Sequence, residues 1–248
     1  RSPVSKSTPE QLCFPPVAGL TVRGDFDGGA MSSEFGPMIL RGIDHRIGLT
    51  ERPASAFGDK RHLSYIDHPL PTLFSQRIFQ VASGYEDGND ANALRTDPLF
   101  KLGAERKPLD ADSDLASAST FSRLENAATS KDIYRMAQAF LDQFVASYAA
   151  APELIVLDMD HSEDATYGQQ ELSFYNHHYR SYCYLPLYIF CGEHLLCARL
   201  RPSSKDASTG SVEELERIIS QIRARWPKTR IVIRGDAGFC RETIMSWC

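Results

Sequence analysis

Hydrophobic residues recur at steps of three and four along two stretches in the first 150 residues of the chain. Spacing of this kind places the apolar side chains on one face of an α-helix. Residues 73–85 and 132–148 are therefore predicted to form amphipathic helices, and Pro152 is predicted to end the second one. The apolar positions are Leu73, Phe74, Ile78, Val81, Ala82 and Tyr85 in the first helix, and Ile133, Met136, Ala137, Phe140, Leu141, Phe144, Val145 and Tyr148 in the second.

The other segments of this part of the chain are more polar. Residues 1–24 are rich in Ser and Pro, so we predict that they are disordered. Residues 107–120 indicate a polar connector with few hydrophobic positions. Ser122 and Glu125, which follow it, have the spacing of a capping box and predict the start of a further helix. Residues 25–150 are therefore expected to form a mostly helical region.

The hydrophobic pattern changes after Pro152, where short aliphatic and aromatic runs typical of β-strands appear. Pro186 lies inside one of these runs and indicates an edge strand or a bulge. A helical pattern separates the last run from the others, with Ser211 and Glu214 predicted to cap its start. A further helix is predicted near Arg241. The predicted strands are residues 154–160, 181–190, 194–200 and 230–236, with a tight turn at 191–193 and a helix over 211–226.

The order strand, strand, strand, helix, strand, helix predicts an α/β fold for residues 151–248. Asp158 and Asp160 end the first strand and, because side chains alternate along a strand, they point to the same face. Asp236 ends the last strand in the same way. If these two strands are parallel neighbours, joined by a right-handed crossover, Asp160 and Asp236 meet at one edge of the sheet.

Carboxylates that share a sheet edge repel each other unless a cation or a pKa shift relieves the repulsion. Oxygen ligands of this kind suit Mg²⁺ or Mn²⁺, which also binds waters and substrate phosphates. The sequence therefore predicts a divalent metal site at Asp160 and Asp236. The alternative is that Asp158 and Asp160 simply face solvent and that Asp236 caps the last helix.

Composition places the chain among ordinary folded proteins. It has 248 residues, of which 42% are hydrophobic and 10% aromatic. No run approaches the roughly 18 apolar residues that span a bilayer, so we expect a soluble, intracellular protein without a membrane partner. The six cysteines have neither CxxC spacing nor the density of a small disulfide scaffold, and we expect them to be reduced and mostly buried.

The net charge of −5 hides an uneven distribution of charge along the chain. Residues 217–234 contain six basic residues and no acidic one, which fits either a solvated helix face or a surface that contacts phosphates. The basic residues are Arg217, Arg223, Arg225, Lys228, Arg230 and Arg234.

Several long motifs resemble the DDE transposases of bacterial insertion sequences, which have an RNase H-like catalytic core. They occur in the expected order and extend over nearly all of residues 25–248. In the second half they are DMDHSEDATYGQQ (158–170), YCYLPLYIFCG (182–192), LRPS (200–203) and RWPKTRIVIRGDAGFC (225–240). In the first half they are DGG (27–29), QRIFQVASGYED (76–87), LRTDPLF (94–100) and SRLENA (122–127).

The resemblance implies Mg²⁺-dependent cleavage and joining of double-stranded DNA at the terminal inverted repeats of an insertion sequence. It places the first catalytic acid at Asp160, with Asp158 as the neighbour that competes for this assignment, and the second at Asp236. It also implies DNA binding by the helical region and by the basic residues between 217 and 234. A homodimer in a synaptic complex and a location in the bacterial cytoplasm, at the nucleoid, are expected in addition.

The sequence departs from the family pattern at two places. His161 and Ser162 stand where a small residue and Thr are commoner. The third acid of the family, a glutamate on a later helix, has no counterpart before Cys248. Because the chain also begins at Arg1, we expect it to be incomplete and to lack a full catalytic triad.

Other interpretations remain open at this point. Asp158 and Asp160 also fit the nucleophile motif of haloacid-dehalogenase-like phosphatases, in which Asp158 attacks and Asp160 is the acid. A shortened transposase that binds DNA or a partner without cutting is a second alternative. A zinc site at His177, His178, Cys183 and Cys191 lacks the ligand spacing of structural zinc. The aromatic residues between 174 and 188 fit cross-strand pairing or, less simply, stacking on nucleobases.

Overall fold

A computed structural model describes residues 12–17, 19–24 and 31–248 of the chain. The chain divides into two compact units. The first unit contains residues up to Arg46 together with Tyr65–Asn126, and the second contains Ile47–Ser64 together with Ala127–Cys248. Within the part of the chain that is described, no helix is both long and apolar enough to cross a membrane.

The first half of the chain is mostly helical after a short β-hairpin. In chain order its elements are β1 (Leu12–Val17), β2 (Leu20–Gly24), α1 (Gly36–Ile47), α2 (Glu51–Ala56), α3 (Leu70–Ala82), α4 (Asp90–Leu94), α5 (Pro98–Gly103), α6 (Ala118–Asn126) and α7 (Ser130–Ala146). Short 3₁₀ turns lie at Leu63–Tyr65 and Ala111–Ser113.

The hairpin differs from the disordered segment predicted for residues 1–24. β1 and β2 pair antiparallel, from Leu12 opposite Gly24 to Val17 opposite Leu20. Gly19 lies in the turn with a φ of 81°, a left-handed conformation that glycine adopts without strain. The Pro content of LCFPPV concealed this strand, because Pro is depleted in strand interiors. The motif DGG at 27–29 lies outside the described residues.

The first unit packs its helices around the segment that the sequence presents as a polar connector. Leu115 and Ala116 in this segment are fully buried. The buried amide of Gln76 on α3 both donates to and accepts from the backbone of Ala116, each at 2.9 Å. Lys101, also buried, forms an ion pair with Asp114 at 2.7 Å. Polar side chains here stabilise a buried segment, which is why its composition suggested a solvent-exposed linker.

α7 (Ser130–Ala146) confirms the helix predicted over residues 132–148, with both ends two residues earlier. Ser122 and Glu125 lie inside α6, so the predicted capping box there is wrong. The capping box lies instead at Thr129 and Asp132, at the start of α7. α7 ends at Ala146, before Pro152 is reached. Its contacts with α2, β8 and α8 place it in the second unit, whereas the sequence suggested a domain boundary between residues 150 and 151.

The second half of the chain contains the strands. Its elements are β3 (Leu154–His161), β4 (Asp164–Ala165), β5 (Phe174–Asn176), β6 (Ser181–Tyr184), β7 (Leu187–Cys191), β8 (His194–Arg199), α8 (Ser211–Arg225), β9 (Arg230–Gly235) and α9 (Glu242–Trp247), with a 3₁₀ turn at Ala237–Phe239. The α/β class predicted for this part is confirmed by a mixed sheet with packed helices.

Four strands form the main sheet in the order β8-β7-β3-β9. β7 pairs antiparallel with both β8 and β3, while β3 and β9 run parallel. One face of this sheet is buried against α7 and α8. Every second residue of β3 (Ile155, Leu157 and Met159) points to this face and packs in the hydrophobic core of the unit. Asp158 and Asp160 therefore lie on the opposite face, as their spacing predicted.

The predicted strand over residues 181–190 is two strands in two different sheets. β6 belongs to a three-stranded sheet of order β4-β6-β5, and β7 belongs to the main sheet. Pro186 lies between them. Because Pro cannot donate to a strand ladder, it allows the chain to leave one sheet and enter the other.

The start of α8 also differs from the prediction. Gly210 is the N-cap residue, with a φ of 80°, and no side chain caps this end of the helix. Ser211 is the first helical residue and is fully buried. Glu214 forms ion pairs with Arg217 and Arg199 instead of capping.

Candidate active site

Neighbouring parallel strands bring Asp160 and Asp236 to the same edge of the main sheet. The register pairs Leu154 with Arg230 and continues to Met159 with Gly235. Asp160 and Asp236 are the next residues on each strand, and neighbouring strands lie about 4.8 Å apart. The pairing on which the sequence argument depended is therefore present.

Each of these two acids uses one carboxylate oxygen in a local hydrogen bond. Asp236 Oδ1 accepts from the backbone N–H of Gly238 at 2.8 Å and so caps the 3₁₀ turn at Ala237–Phe239. Asp160 Oδ1 accepts from the N–H of His161 at 2.8 Å. Among the described residues no hydrogen bond or ion pair engages the second oxygen of either acid. The capping role predicted as the alternative for Asp236 thus leaves one oxygen for a ligand.

Asp158 has different surroundings, although it shares a face with Asp160. It lies opposite Arg234 in the register of β3 and β9. The Arg234 guanidinium donates to both Asp158 oxygens, from Nη2 to Oδ2 at 2.7 Å and from Nε to Oδ1. Bidentate pairs of this kind orient both partners. Both oxygens of Asp158 are therefore engaged, whereas among the described residues Asp160 has only Oδ1 in a hydrogen bond.

His161 and Tyr179 lie beside the two acids and were not predicted as site residues. Tyr179 Oη lies 3.5 Å from His161 Nδ1. Burial raises the pKa of the Tyr179 phenol, and the nearby charges of Glu163, Asp160 and Asp236 raise it further. No motif spacing links Tyr179 to Asp160, because the approach depends on how the β5–β6 hairpin folds back.

Gly238 allows this close packing. A methyl group at this position would lie 2.9 Å from both Asp236 Oδ1 and His161 Nε2, and 3.5 Å from the Ala207 side chain. The turn after Asp236, the ring of His161 and the loop before α8 therefore meet at a residue without a side chain. Only glycine fits there without displacing a neighbour.

The loop between β8 and α8 is held beside this turn by two arginines. Arg201 is buried and donates from Nη1 to the carbonyls of Ala207 (2.7 Å) and Thr209 (2.8 Å). Arg241 pairs with Asp206 at 2.9 Å. Hydrogen bonds from Ser208 and Arg241 hold the pKa of Asp206 well below its usual value, so it stays charged. The loop is thus fixed at the end of the sheet where the acids lie.

The predicted DNA-binding residues do not surround the acids. Arg230 opens β9 and Asp236 follows its end, so six residues at about 3.3 Å each separate them by roughly 20 Å. Arg223, Arg225 and Lys228 lie at the same end of the sheet as Arg230, and all are exposed. Arg234 is the one member of the predicted set that the structure places near Asp160.

Arg217 does not lie on the DNA-binding surface that the sequence predicted. Its side chain is only 8% exposed and pairs with Glu214 at 2.9 Å. It also donates to the carbonyls of Leu196 (3.3 Å) and Ala137 (3.4 Å). Arg217 therefore joins α8 to β8 and α7 and does not present its charge to a phosphate.

The surface of the second unit contains clefts. One, of about 340 Å³, is lined by Asp236, Phe239 and mainly apolar residues on the core side of the sheet. A larger one, of about 560 Å³, lies between α2 and α7 and contains none of the predicted site residues. Asp160 lines neither of these two clefts and is exposed at the sheet edge, where a large substrate can reach it.

The carboxylates fit a hard divalent cation in ligand type but not as a complete cage. Mg²⁺ is usually held by one or two carboxylates, with waters and substrate phosphates as the other ligands. Within the described residues no group of three or more His, Cys, Asp or Glu side chains forms a metal site, which leaves the zinc alternative at His177, His178, Cys183 and Cys191 without support. Asp160 and Asp236 match the smaller ligand set.

Fold and site together define a mixed α/β protein with an acidic pair at the ends of neighbouring parallel strands. The family model described as transposase DDE domain, group 1, matches residues 14–248, so the chain belongs to this family. Comparisons with curated proteins and with solved structures gave no match. The family match, together with the pairing of Asp158 with Arg234, favours the transposase interpretation over the phosphatase one.

Proposed function

We propose that the chain supplies the acidic site of a transposase that cleaves and transfers DNA strands at the ends of an insertion sequence. The observation that supports this most is the adjacency of Asp160 and Asp236, each with one unengaged carboxylate oxygen, in a member of the DDE family. The strand arrangement also supports an RNase H-like core, since three antiparallel strands are followed by a helix and a parallel strand beside the first.

In this proposal Asp160 and Asp236 hold Mg²⁺ or Mn²⁺ together with a phosphate oxygen of the DNA. When bound, such a cation activates a water or hydroxyl group and stabilises the leaving oxygen. The Gly238 N–H orients the Asp236 carboxylate by donating to its Oδ1, and Arg234 donates to both oxygens of Asp158. Asp160 is therefore the first catalytic acid of the proposal, and Asp158 is its structural neighbour.

Double-stranded DNA with terminal inverted repeats is the proposed partner, and the family match supports DNA as the substrate class. Arg223, Arg225, Lys228 and Arg230 are proposed to contact phosphates, as is the helical region of residues 25–150. A homodimer in a synaptic complex belongs to the same proposal. A second function is binding of DNA without cutting, and the nicking experiment below distinguishes it from strand cleavage.

The binding of Mn²⁺ tests the site directly, because Mn²⁺ is detected by electron paramagnetic resonance without any need for turnover. We expect Asp160→Ala and Asp236→Ala each to remove Mn²⁺ binding, because two ligands cannot be reduced to one without a large loss of affinity. Asp158→Asn should keep it, since the Asp158 carboxylate is already engaged by Arg234.

Nicking of supercoiled DNA in Mg²⁺ then distinguishes the two functions. Nicking that disappears in the Asp160 and Asp236 variants supports strand cleavage, while metal binding and DNA binding without nicking support the second function. Mn²⁺ binding that survives both alanine substitutions would contradict the site itself.

A further inference from the structure

Two tyrosines face solvent side by side on the three-stranded sheet. Tyr175 on β5 and Tyr182 on β6 are direct cross-strand partners. Their ring centroids lie 5.4 Å apart at an interplanar angle of 68°, and His177 packs edge-on against Tyr175 at 5.2 Å. We call these three residues the tyrosine face. An edge-to-face pair leaves at least one face of each ring uncovered by its partner.

The tyrosine face does not belong to the protein core. Tyr175 is 44% exposed and Tyr182 is 60% exposed, while Cys183, the next residue on β6, is fully buried. Along β6 the side chains therefore alternate between a packed side and an open side. Cross-strand pairing accounts for the contact between the two rings but not for their joint exposure.

Hydrogen bonds fix this sheet beside Asp160. The N–H of Thr166, next to β4, donates to the carbonyl of Tyr182 at 2.9 Å. The Ser181 hydroxyl donates to the Glu163 carboxylate, and Tyr179 Oη lies 3.5 Å from His161 Nδ1. Thr166 follows Asp160 by six residues, so at most about 22 Å of extended chain separates them. At about 3.4 Å per nucleotide along a duplex strand, that upper limit corresponds to roughly six nucleotides.

The surroundings favour nucleobases over the phosphate backbone. Asp164 on β4 and Glu163 just before it are both exposed and would repel a run of phosphates. A flat, hydroxyl-bearing ring suits a flat ligand with polar edges, and aromatic side chains stack on unpaired bases of any sequence. Arg180, exposed in the turn between β5 and β6, offers one positive charge for a flanking phosphate.

We propose that the tyrosine face binds unpaired nucleobases of the DNA strand that is handled at Asp160 and Asp236. This inference rests on the proposed function, because the acids provide the reason for DNA to pass beside the sheet. The rings hold bases that leave the duplex near the cleavage point, and so they position the strand end.

The test measures binding of the full chain to a single-stranded oligonucleotide containing 2-aminopurine, without metal ions. Tyr175→Ala and Tyr182→Ala should each weaken binding about 5-fold to 150-fold, the range that corresponds to loss of one stacked base. Tyr175→Phe and Tyr182→Phe keep the ring and should bind like the unchanged chain. Tyr134→Ala is the matched control, because Tyr134 is a comparably exposed tyrosine (54%) on α7, away from this sheet.

An oligonucleotide with abasic sites in place of bases, but with the same phosphates, gives the second arm. It should bind about as weakly as the alanine variants bind the intact oligonucleotide. Equal affinity for the two oligonucleotides, or equal loss in the Phe and Ala variants, would overturn the proposal. A change in sedimentation of the DNA-free chain on Tyr182→Ala would assign the face to a second copy instead.

The outcome is separable from that of the proposed function. Oligonucleotide binding is measured without metal ions and Mn²⁺ binding is measured without DNA, so each measurement reports on one site alone. Normal Mn²⁺ binding without stacking therefore rejects only the tyrosine face, and stacking without Mn²⁺ binding rejects only the metal site.

Discussion

Asp158 and Asp160 lie two residues apart on one face of β3, yet their carboxylates differ in what they can bind. The difference comes from Arg234, which lies opposite Asp158 and engages it at both oxygens. Sequence patterns could predict that Asp160 and Asp236 meet, because both follow aliphatic strands joined by one crossover. They could not separate Asp158 from Asp160, since the partner of each depends on strand register.

Gly238 shows how one residue controls the proposed metal site. In Gly238→Ala the added methyl group would lie 2.9 Å from Asp236 Oδ1 and from His161 Nε2, so one of them must move. Changes to groups that orient a metal ligand typically cost about 10–100-fold in metal affinity. We expect a loss of this size in Mn²⁺ affinity, measured by titration with paramagnetic resonance.

Gly88→Ala is the matched control for this prediction, because a methyl group there meets nothing within 4 Å. Neither glycine has a φ in the left-handed region, so backbone strain does not distinguish the two substitutions. Unchanged Mn²⁺ affinity in Gly238→Ala, with normal folding, would show that Asp236 does not depend on this turn.

At the scale of elements, the hydrophobic periodicity predicted helices and strands correctly where one apolar face is buried. It was misleading where polar groups are buried as well. β3, β8, β9 and α8 were predicted within one or two residues, since each alternates or repeats against the same core. The run over residues 181–190 was predicted as one strand because period alone does not reveal a change of sheet at Pro186. The Ser122 capping box failed because the same spacing also occurs inside a helix.

The start of α7 gives a prediction about pH. Asp132 accepts hydrogen bonds from the Thr129 hydroxyl (2.5 Å), the Thr129 N–H (2.9 Å) and the Gly58 N–H (3.0 Å). These bonds lower the pKa of Asp132 from 3.8 to about 2. A depressed pKa in the folded state stabilises the protein above the unfolded value, and this contribution is lost as the pH falls from about 4 to about 2.

Asp132→Asn should therefore unfold at a lower urea concentration than the unchanged chain at pH 7, and the difference should shrink towards pH 2. Thr129→Ala removes the other half of the capping box and should cost about 0.5–2 kcal/mol at pH 7. Glu213→Gln is the control, since Glu213 lies exposed in the first turn of α8, an end that no side chain caps. A pH-independent deficit in Asp132→Asn would contradict the assignment.

At the scale of the whole second unit, charge is separated along the main sheet. The acids lie at the carboxyl ends of β3 and β9, and Arg223, Arg225, Lys228 and Arg230 lie near the opposite end, roughly 20 Å away. A DNA strand advances about 3.4 Å per nucleotide, so one duplex could contact both regions within about six base pairs. The basic run visible in the sequence is therefore suited to holding DNA at a distance from the acids rather than to neutralising them.

This arrangement predicts that DNA affinity and metal binding respond to different residues. Each lysine or arginine that neutralises a phosphate contributes about −0.9 to the slope of log affinity against log salt for duplex DNA. The double variant Arg225→Ala with Lys228→Ala should reduce the magnitude of that slope by about 1.8 and weaken binding to all duplex sequences alike, while Mn²⁺ binding stays unchanged.

Arg217→Met is the contrasting substitution. It should destabilise the fold, because it removes buried bonds to Glu214 and to backbone carbonyls, but it should leave the salt slope of the folded protein unaltered. A slope that responds to Arg217 and not to Arg225 and Lys228 would show that DNA follows a different surface.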